Sequence, residues 1–359
     1  MALDSYVGLG RSGLKVSPFC LGAMTFGDED GIGSGVEESE KILRTYLDRG
    51  GNFIDTANFY TNGHSEKILG DFFARHGGLR DRTVLATKFY GNLHLGDPNG
   101  GGAGRKAVTD QLEQSLRRLR TDYIDLYWLH NWDRSTPVEE TLRTLDDLVR
   151  AGKIRYIGFS NTPGWFTAQA HTTALLRGWT PLTALQVEYS LLARTVEGEL
   201  VPLAQDTGMG ITPWSPLKNG FLSGKYTRRD TSPTDAARAP IVGSPSEAQY
   251  AVIDAVAAIA EETGTSSAAV ALAWLRNRPG VSSTLIGARR LEHLEANLTA
   301  LELTLTRAQT DTLDQVSAPT LNYPADLNRE VGPMLKYAGA TVDGHKTPVY
   351  PPLLDPARY

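Results

Sequence analysis

Residues 124–160 read IDLYWLHNWDRSTPVEETLRTLDDLVRAGKIRYIGFS. The two ends of this stretch, 124–129 and 154–159, are short runs rich in branched and aromatic side chains, which predicts two strands. Leucines at helical spacing lie between them, and the pattern predicts Thr136 as N-cap, Pro137 as first helical residue and Gly152 as stop. A strand, a helix and a strand in this order predict a parallel pair, because parallel neighbours need a crossover connection.

The same alternation recurs along the chain, and the last interval between strands is the longest. It holds an insertion from Ser215 to about Pro245 that is rich in Gly, Pro, Ser and Arg. Eight strand-helix units with one long loop after the seventh strand favour a (β/α)8 TIM barrel over a doubly wound sheet. The predicted strands cover residues 19–21, 53–55, 84–87, 124–129, 154–159, 184–187, 210–214 and 284–286.

No stretch of the sequence has the composition of a linker between domains. We therefore expect one domain over 1–359, with an N-terminal β-hairpin at 1–17, the barrel at 18–316 and a loop-like C-terminal extension at 317–359. The segment from Gly8 to Gly13 matches the dinucleotide-binding pattern G-x-G-x-x-G. However, no apolar strand precedes it and no helix follows it, which favours a hairpin turn over a Rossmann fingerprint.

Composition excludes several classes of partner and site. The chain has 36 Lys and Arg against 41 Asp and Glu, a net charge of −5, which disfavours nucleic acid and anionic membranes as partners. The longest apolar run, 268–275, is too short for a membrane span, and the N-terminus lacks a signal-peptide pattern. Cys20 is the only cysteine and the histidines lack metal-binding spacing, so we expect a soluble cytoplasmic protein without a metal site.

Four side chains that can carry or share a proton stand at or near the ends of predicted strands. Asp55 ends the second strand and Tyr60 follows it, while Lys88 ends the third strand and His130 follows the fourth. Taken singly, each has an ordinary explanation such as a helix cap or a core histidine. Together they predict one cluster, because the carboxyl ends of barrel strands face the same mouth.

This set of side chains suits the transfer of a proton to a carbonyl oxygen that receives a hydride. A lysine ammonium beside Tyr60 favours the phenolate and predicts a lowered pKa for that tyrosine. Asp55 would orient Lys88, and a neutral His130 would hold the substrate oxygen.

Several longer stretches, taken together, resemble the aldo-keto reductases from Leu9 to about Asn297. The resemblance implies the (β/α)8 fold, a hairpin that closes the bottom of the barrel, and a catalytic tetrad of Asp55, Tyr60, Lys88 and His130 with the tyrosine as general acid/base. The matching stretches are GNFIDTA at 51–57 with Tyr60, Thr87-Lys88, DYIDL at 122–126 leading to His130, and GKIRYIGFSN at 152–161.

The resemblance also implies NADP(H) as cofactor, bound across the barrel mouth. Ser160, Asn161 and Gln186 match residues that hydrogen-bond the nicotinamide carboxamide, and Trp214 matches an aromatic side chain that stacks on the ring. A core role remains the alternative for Trp214. The other matches are Gly22 and Met24 beside the nicotinamide, Ser215, Pro216, Leu217, Gly220, Ser223, Gly224 and Lys225 at the pyrophosphate, and Gly287, Arg289, His293 and Asn297 at the adenosine phosphate.

The adenosine end of this predicted site departs from the family pattern. Ala296 stands where a glutamate is frequent, and His293 where a longer basic or amide side chain is frequent. Arg289 could bind a 2′-phosphate through its planar fork, which would favour NADPH over NADH, while a solvated arginine is the alternative.

Three functions are compatible with these observations to different degrees. The first is an NADPH-dependent reductase of aldehydes or ketones. The second is a nucleotide-binding, redox-sensing regulatory subunit, since the resemblance extends to the branch that includes the potassium-channel β subunits. The third, a barrel hydrolase, needs paired carboxylates or metal ligands and is disfavoured. The carbonyl substrate cannot be identified from the sequence, and a homo-oligomer is left open.

Overall fold

The glycine-rich segment near the N-terminus forms a hairpin, as predicted, in the computed structural model, which describes residues 1–28, 31, 33–228 and 243–354. Strand β1 (Val7–Gly8) pairs antiparallel with β2 (Lys15–Val16). Gly10 in the turn has a φ of 58°, and a side chain there would meet the backbone of Gly208 and Gly210 at 2.5 Å. Only glycine satisfies both constraints, so tight packing explains the central glycine of the motif.

Eight parallel strands, counted over the described residues, form the barrel and confirm the predicted fold class. The strands are β3 (Phe19–Gly22), β4 (Phe53–Asp55), β5 (Val84–Phe89), β6 (Ile124–Leu129), β7 (Ile154–Ser160), β8 (Leu182–Glu188), β9 (Gly210–Trp214) and β10 (Thr284–Gly287). β10 pairs with β3, and each strand from β3 to β8 pairs with the next one. Ile211 joins β9 to the segment that leads into β10: its N–H donates to the Gly280 carbonyl at 2.8 Å, and its carbonyl accepts from the Ser282 N–H at 2.9 Å.

Helices cover the outside of the barrel. The predicted start of the fourth helix was off by one residue: Pro137 is its N-cap, while the Thr136 hydroxyl donates to Asp133 at 2.8 Å instead of capping. Gly152, with a φ of 75°, follows the helix end as predicted. In the described part of the chain these helices are α1 (Val36–Asp48), α2 (His64–Arg75), α3 (Arg105–Leu119), α4 (Val138–Arg150), α5 (Gly164–Arg177), α6 (Leu200–Thr207), α7 (Glu247–Thr263), α8 (Ser267–Arg276), α9 (Leu291–Leu298) and α10 (Arg307–Val316).

Side chains alternate between the barrel interior and the layer beneath the helices, as the two-residue period of a strand requires. On β6, Leu126 and Trp128 belong to the inner cluster, whereas Tyr127 and Leu129 belong to the outer core. Leu9 of the hairpin is fully buried in the inner cluster. The hairpin therefore closes the amino-terminal end of the barrel and leaves the opposite end as the mouth.

The chain outside the barrel repeat is more structured than predicted at its C-terminus. The extension contains two short helices, α11 (Ala325–Glu330) and α12 (Gly332–Tyr337), and a hairpin of β11 (Thr341–Val342) and β12 (His345–Lys346). Six-residue helices are too short to show a helical period in a sequence. Residues 229–242 of the predicted insertion and 355–359 of the extension lie outside the described residues. Among the helices described, none has the length and apolar character needed to cross a membrane.

Candidate active site

The strand register brings three of the four predicted catalytic residues to the mouth of the barrel. Asp55 lies two residues beyond the inward-facing Phe53 on β4, and Lys88 lies two residues beyond the inward-facing Ala86 on β5. His130 likewise stands two residues beyond Trp128. Because alternate residues of a strand share a face, all three side chains follow the inner row toward the same opening.

Trp128 forms the floor of this opening and was not singled out from the sequence. It is fully buried and pairs in register with Lys88 across β5 and β6. On the neighbouring strand, a Cβ at Gly158 would lie 2.2 Å from the indole ring. The glycine is therefore needed for the tryptophan to fill the barrel below the site. The signal in the sequence was the two-residue spacing from Trp128 to His130.

Lys88 is the centre of a hydrogen-bonded cluster. Its ammonium donates to the carboxylate of Asp55, to the carbonyl of Thr56 at 2.8 Å and to the hydroxyl of Tyr60 at 3.1 Å. Lys88 is fully buried, which by itself lowers the pKa of an ammonium, but its interactions with Asp55 and Tyr60 outweigh burial and raise the pKa of Lys88. The lysine is therefore a fixed positive charge beside the tyrosine.

The second carboxylate oxygen of Asp55 accepts from the Gln186 amide at 3.1 Å. Gln186 was predicted to bind a nicotinamide, and in the structure it is also part of the cluster around Lys88. The two residues are far apart in the sequence, so no local pattern indicated this contact.

The predicted lowering of the pKa of Tyr60 is wrong in its net direction. Burial raises the pKa of Tyr60 above its ordinary value, and the Lys88 ammonium opposes this effect without overcoming it. The phenol is therefore protonated at neutral pH. A protonated hydroxyl next to an ammonium is arranged to give up a proton to an oxygen that gains negative charge.

His130 is held neutral at the edge of this cluster. Burial, helped by the charge of Lys88, lowers the pKa of His130 to about 2. Its ring contacts the edge of Tyr60 at a centroid distance of 5.8 Å and stacks on Phe59 at 5.1 Å. The buried Nδ1 has no hydrogen-bond partner among the described residues. A neutral imidazole can donate one hydrogen bond to a substrate oxygen without repelling Lys88.

The residues predicted to bind the nicotinamide lie on one side of the mouth. Asn161 accepts from the Trp214 indole at 3.1 Å and donates to the carbonyl of His130 at 3.0 Å. The hydroxyl of Ser160 is buried and has no partner among the described residues. The Trp214 ring is half-buried at the end of β9. Asn161 thus connects the predicted stacking platform to the backbone of a predicted catalytic residue.

Gly22 and Met24 lie at the opposite side of the same opening. Gly22 ends β3 and pairs in register with Asp55 on β4. The Met24 side chain is 54% exposed although it is apolar. An exposed apolar side chain at the barrel mouth is available to contact a bound molecule.

The loop after β9 contains the residues predicted to meet the cofactor pyrophosphate. Lys218, Asn219 and Gly220 all have positive φ, and Lys218 pairs with Glu188 at 2.5 Å. The Ser223 hydroxyl donates to the Gly220 carbonyl at 2.6 Å. The structure places the predicted Ser215, Pro216, Leu217, Gly220, Ser223, Gly224 and Lys225 on this one loop.

The predicted adenosine-phosphate residues lie at and after the end of β10. Burial lowers the pKa of His293, and the positive charges of Lys225 and Arg289 lower it further. Lys225 on the loop after β9 and Arg289 just before α9 therefore both lie near the His293 ring. Asn297 donates to the carbonyl of Gly287 at 3.2 Å, an internal contact that the sequence did not indicate.

A carboxylate unforeseen from the sequence also lies at the start of α9. Glu38, on α1, accepts a hydrogen bond from the backbone N–H of Leu291 at 2.7 Å. A carboxylate is stabilised at a helix N-terminus by the helix dipole. This end of the site therefore combines cations from two segments with one acidic side chain from a third.

The described residues form no group of three potential metal ligands. The chemistry of the mouth is that of a buried lysine, a carboxylate, a protonated tyrosine and a neutral histidine. These groups can donate a proton and stabilise negative charge on an oxygen.

Comparison with known proteins agrees with this geometry. The aldo/keto reductase family model matches residues 18–318. The uncharacterized oxidoreductase YrpG of Bacillus subtilis is 38% identical over 309 residues, which cover 84% of this chain and 92% of that protein. The norsolorinic acid reductase of Emericella nidulans is 34% identical over 93% of this chain and 86% of its own length. An aryl-alcohol dehydrogenase of Pestalotiopsis microspora is 34% identical over 87% of this chain and 81% of its own length.

The family match spans the whole barrel, and the related proteins align over most of both chains. The residues matched by the family model include the strands that carry the cluster around Lys88. The chain therefore belongs to the aldo/keto reductase family of oxidoreductases.

Proposed function

We propose that this protein reduces an aldehyde or ketone to an alcohol with NADPH, and that Tyr60 supplies the proton. The observation that carries the proposal is the buried contact between Lys88 and Tyr60, at 3.1 Å, beside a histidine held neutral. A charged lysine stabilises the phenolate that remains when Tyr60 gives up its proton.

The residues at the mouth fit a nicotinamide cofactor. The unpartnered hydroxyl of buried Ser160 and the amide groups of Asn161 and Gln186 have donors and acceptors for a carboxamide, and the Trp214 indole offers a flat apolar face. Lys225 and Arg289 supply positive charge for phosphates. When bound, NADPH would supply the hydride that the carbonyl carbon receives.

The protein's own residues would handle the substrate oxygen. Tyr60 and His130 would each donate a hydrogen bond to that oxygen and thereby hold the carbonyl in place. As negative charge develops on the oxygen, the Tyr60 proton moves to it and leaves a phenolate next to Lys88. Asp55 keeps Lys88 charged, and a solvent proton then restores the phenol.

The named relatives suggest which carbonyls to test first. They include an aryl-alcohol dehydrogenase and a norsolorinic acid reductase. We therefore propose carbonyl groups attached to aromatic rings as the first substrates to test. We also propose that the protein acts in the cytoplasm.

The test is NADPH consumption with a panel of aldehydes and ketones that includes 4-nitrobenzaldehyde. Tyr60→Phe should lower kcat by about a thousandfold or more while the Kd for NADPH, measured by fluorescence quenching, stays within about twofold. Undiminished turnover by Tyr60→Phe would contradict the mechanism. NADPH binding without turnover of any carbonyl would instead support a redox-sensing regulatory subunit.

A further inference from the structure

The turn that carries Tyr60 has an unusual backbone. Thr61, Asn62 and Gly63 follow the tyrosine with φ of 47°, 55° and 87°, so three consecutive residues are left-handed. Glycine adopts this conformation freely, and asparagine tolerates it, but a β-branched threonine at positive φ is a strained outlier. Such strain persists only where the surroundings hold the residue in place, and it concentrates at functional sites.

A side-chain hydrogen bond holds the threonine. The Thr61 hydroxyl donates to the carbonyl of Phe26 at 2.8 Å. Phe26 is fully buried, and its own N–H donates to Ala23 at 3.0 Å. A second hydroxyl, that of Ser65 at the start of α2, donates to the Ala23 carbonyl at 2.7 Å. The turn after Tyr60 is thus attached to the loop after β3, which also carries Met24.

The far end of the turn rests on a different network. A Cβ at Gly63 would lie 3.0 Å from the Arg118 side chain. Arg118 donates to Glu66 at 2.6 Å, and the other oxygen of Glu66 accepts from Thr87, the neighbour of Lys88, at 2.6 Å. The Arg118 side chain therefore packs closely against Gly63, and its network reaches the neighbour of Lys88. The end next to Tyr60 has local backbone bonds, from Tyr60 to Ala57 at 3.2 Å and from Asn62 to Phe59 at 2.9 Å, while the Thr61 hydroxyl bonds it to the loop after β3.

The aromatic contacts of Tyr60 do not replace that bond. Its ring meets Phe59 edge-on at 5.4 Å and His130 edge-on at 5.8 Å. Edge contacts of this kind tolerate small sliding movements, whereas the hydrogen bond from Lys88 to the Tyr60 hydroxyl does not.

We propose that Thr61 is a positioning residue for Tyr60: its hydroxyl holds the strained turn against the loop after β3 and so keeps the phenol within hydrogen-bond distance of Lys88. The inference rests on the proposed function, in which Tyr60 is the proton donor. It also explains why a threonine is compatible with a backbone conformation that suits glycine. The hydrogen bond to Phe26 offsets the strain.

Three substitutions separate the effect of the Thr61 hydroxyl from the effect of its strained backbone. Thr61→Val keeps the size and branching of the side chain but removes the bond to Phe26. Thr61→Ser keeps the hydroxyl, and Thr61→Gly removes both the hydroxyl and the strain. Thr312→Val, on an exposed turn of α10 where the hydroxyl donates to Ala308 at 2.9 Å, is the matched control.

With NADPH and a carbonyl that the wild type reduces, Thr61→Val should lower kcat by about tenfold or more, because small misplacements of a reacting group are costly. Thr61→Gly should fold at least as well as the wild type and still have a lowered kcat. The kcat of Thr61→Ser and of Thr312→Val should stay within about twofold of the wild-type value. The Kd for NADPH should stay within about twofold in all four. The pKa seen in the pH profile of alcohol oxidation should rise in Thr61→Val, because the phenolate loses contact with Lys88.

Three results would overturn the inference. One is wild-type kcat and pH profile in Thr61→Val or, if that variant does not fold, wild-type kcat in Thr61→Gly. Another is a loss in Thr61→Ser equal to that in Thr61→Val, and the third is a loss of NADPH binding in step with kcat. A wild-type protein that reduces no carbonyl overturns the proposed function and this inference together.

Discussion

At the barrel mouth, Lys88 is fully buried and donates to three neighbours, whereas near the start of α9 the basic side chains predicted to meet phosphates are exposed or half-buried. Lys225 is exposed, and Arg289 and His293 are half-buried. The buried cluster is organised by contacts within the protein, and its pKa values are shifted by burial and by neighbouring groups, that of His130 to about 2. The adenosine end relies on charges that water and salt can screen. We therefore expect substitutions at the mouth to change kcat and the free energy of unfolding, and substitutions near α9 to change the affinity for the cofactor.

Removing the central charge should have the largest effect. Lys88→Met should lower kcat by about a thousandfold and the free energy of unfolding by about 3–5 kcal/mol, because Asp55 is left buried without its partner. Steady-state kinetics and chemical denaturation measure the two effects. The control is Lys153→Met, which breaks a partly exposed pair with Glu113 and should cost no more than about 1 kcal/mol. Comparable losses in the two variants would contradict the contrast between buried and exposed charges.

A substitution at the other end should change cofactor selectivity. Arg289→Ala should raise the Kd for NADPH by about tenfold and that for NADH by less than about twofold, since only NADPH carries the 2′-phosphate. Titration by fluorescence quenching at two salt concentrations measures this effect, which should shrink at high salt. Arg307→Ala, at a strongly exposed side chain on α10, is the control. Equal weakening of both cofactors would reject a role for Arg289 at the 2′-phosphate.

The smallest predicted effect concerns His130 and pH. Because burial lowers its pKa to about 2, the folded protein binds fewer protons than the unfolded chain below the ordinary value of 6.5. Its contribution to stability is therefore present above pH 6.5 and is lost as the pH falls, by about 1–2 kcal/mol between pH 6.5 and about 5. Chemical denaturation at several pH values measures how the free energy of unfolding changes with pH. The decrease toward pH 5 should be absent in His130→Gln and present in the exposed-site variant His94→Gln. The same decrease in His130→Gln as in the wild type would show that the ring is not held neutral by burial.

The barrel was predictable from the sequence because each strand-helix unit has its own local pattern. All eight predicted barrel strands occur, and their boundaries shift by no more than a few residues. The start of α4 was misplaced because the Thr136 hydroxyl is hydrogen-bonded to Asp133 and caps no backbone N–H of the helix. The short helices of the extension were missed because six residues do not establish a period.

The candidate site was predictable only in part. Asp55, Lys88 and His130 stand two residues beyond inward-facing core residues, so a strand period and residue type were enough to group them. Gln186 as a partner of Asp55 and Thr61 as a partner of Phe26 could not be predicted, because these contacts join separate strands and loops. No local pattern sets the distance between such groups.

The sequence by itself determined the alternation of strands and helices and the types of side chain at the strand ends, since both are local properties of the chain. Only the tertiary structure decided the protonation state of those side chains. A lysine next to Tyr60 suggested a lowered pKa, yet burial of the tyrosine raises it. Desolvation depends on every neighbour that excludes water, and those neighbours are assembled from all around the barrel.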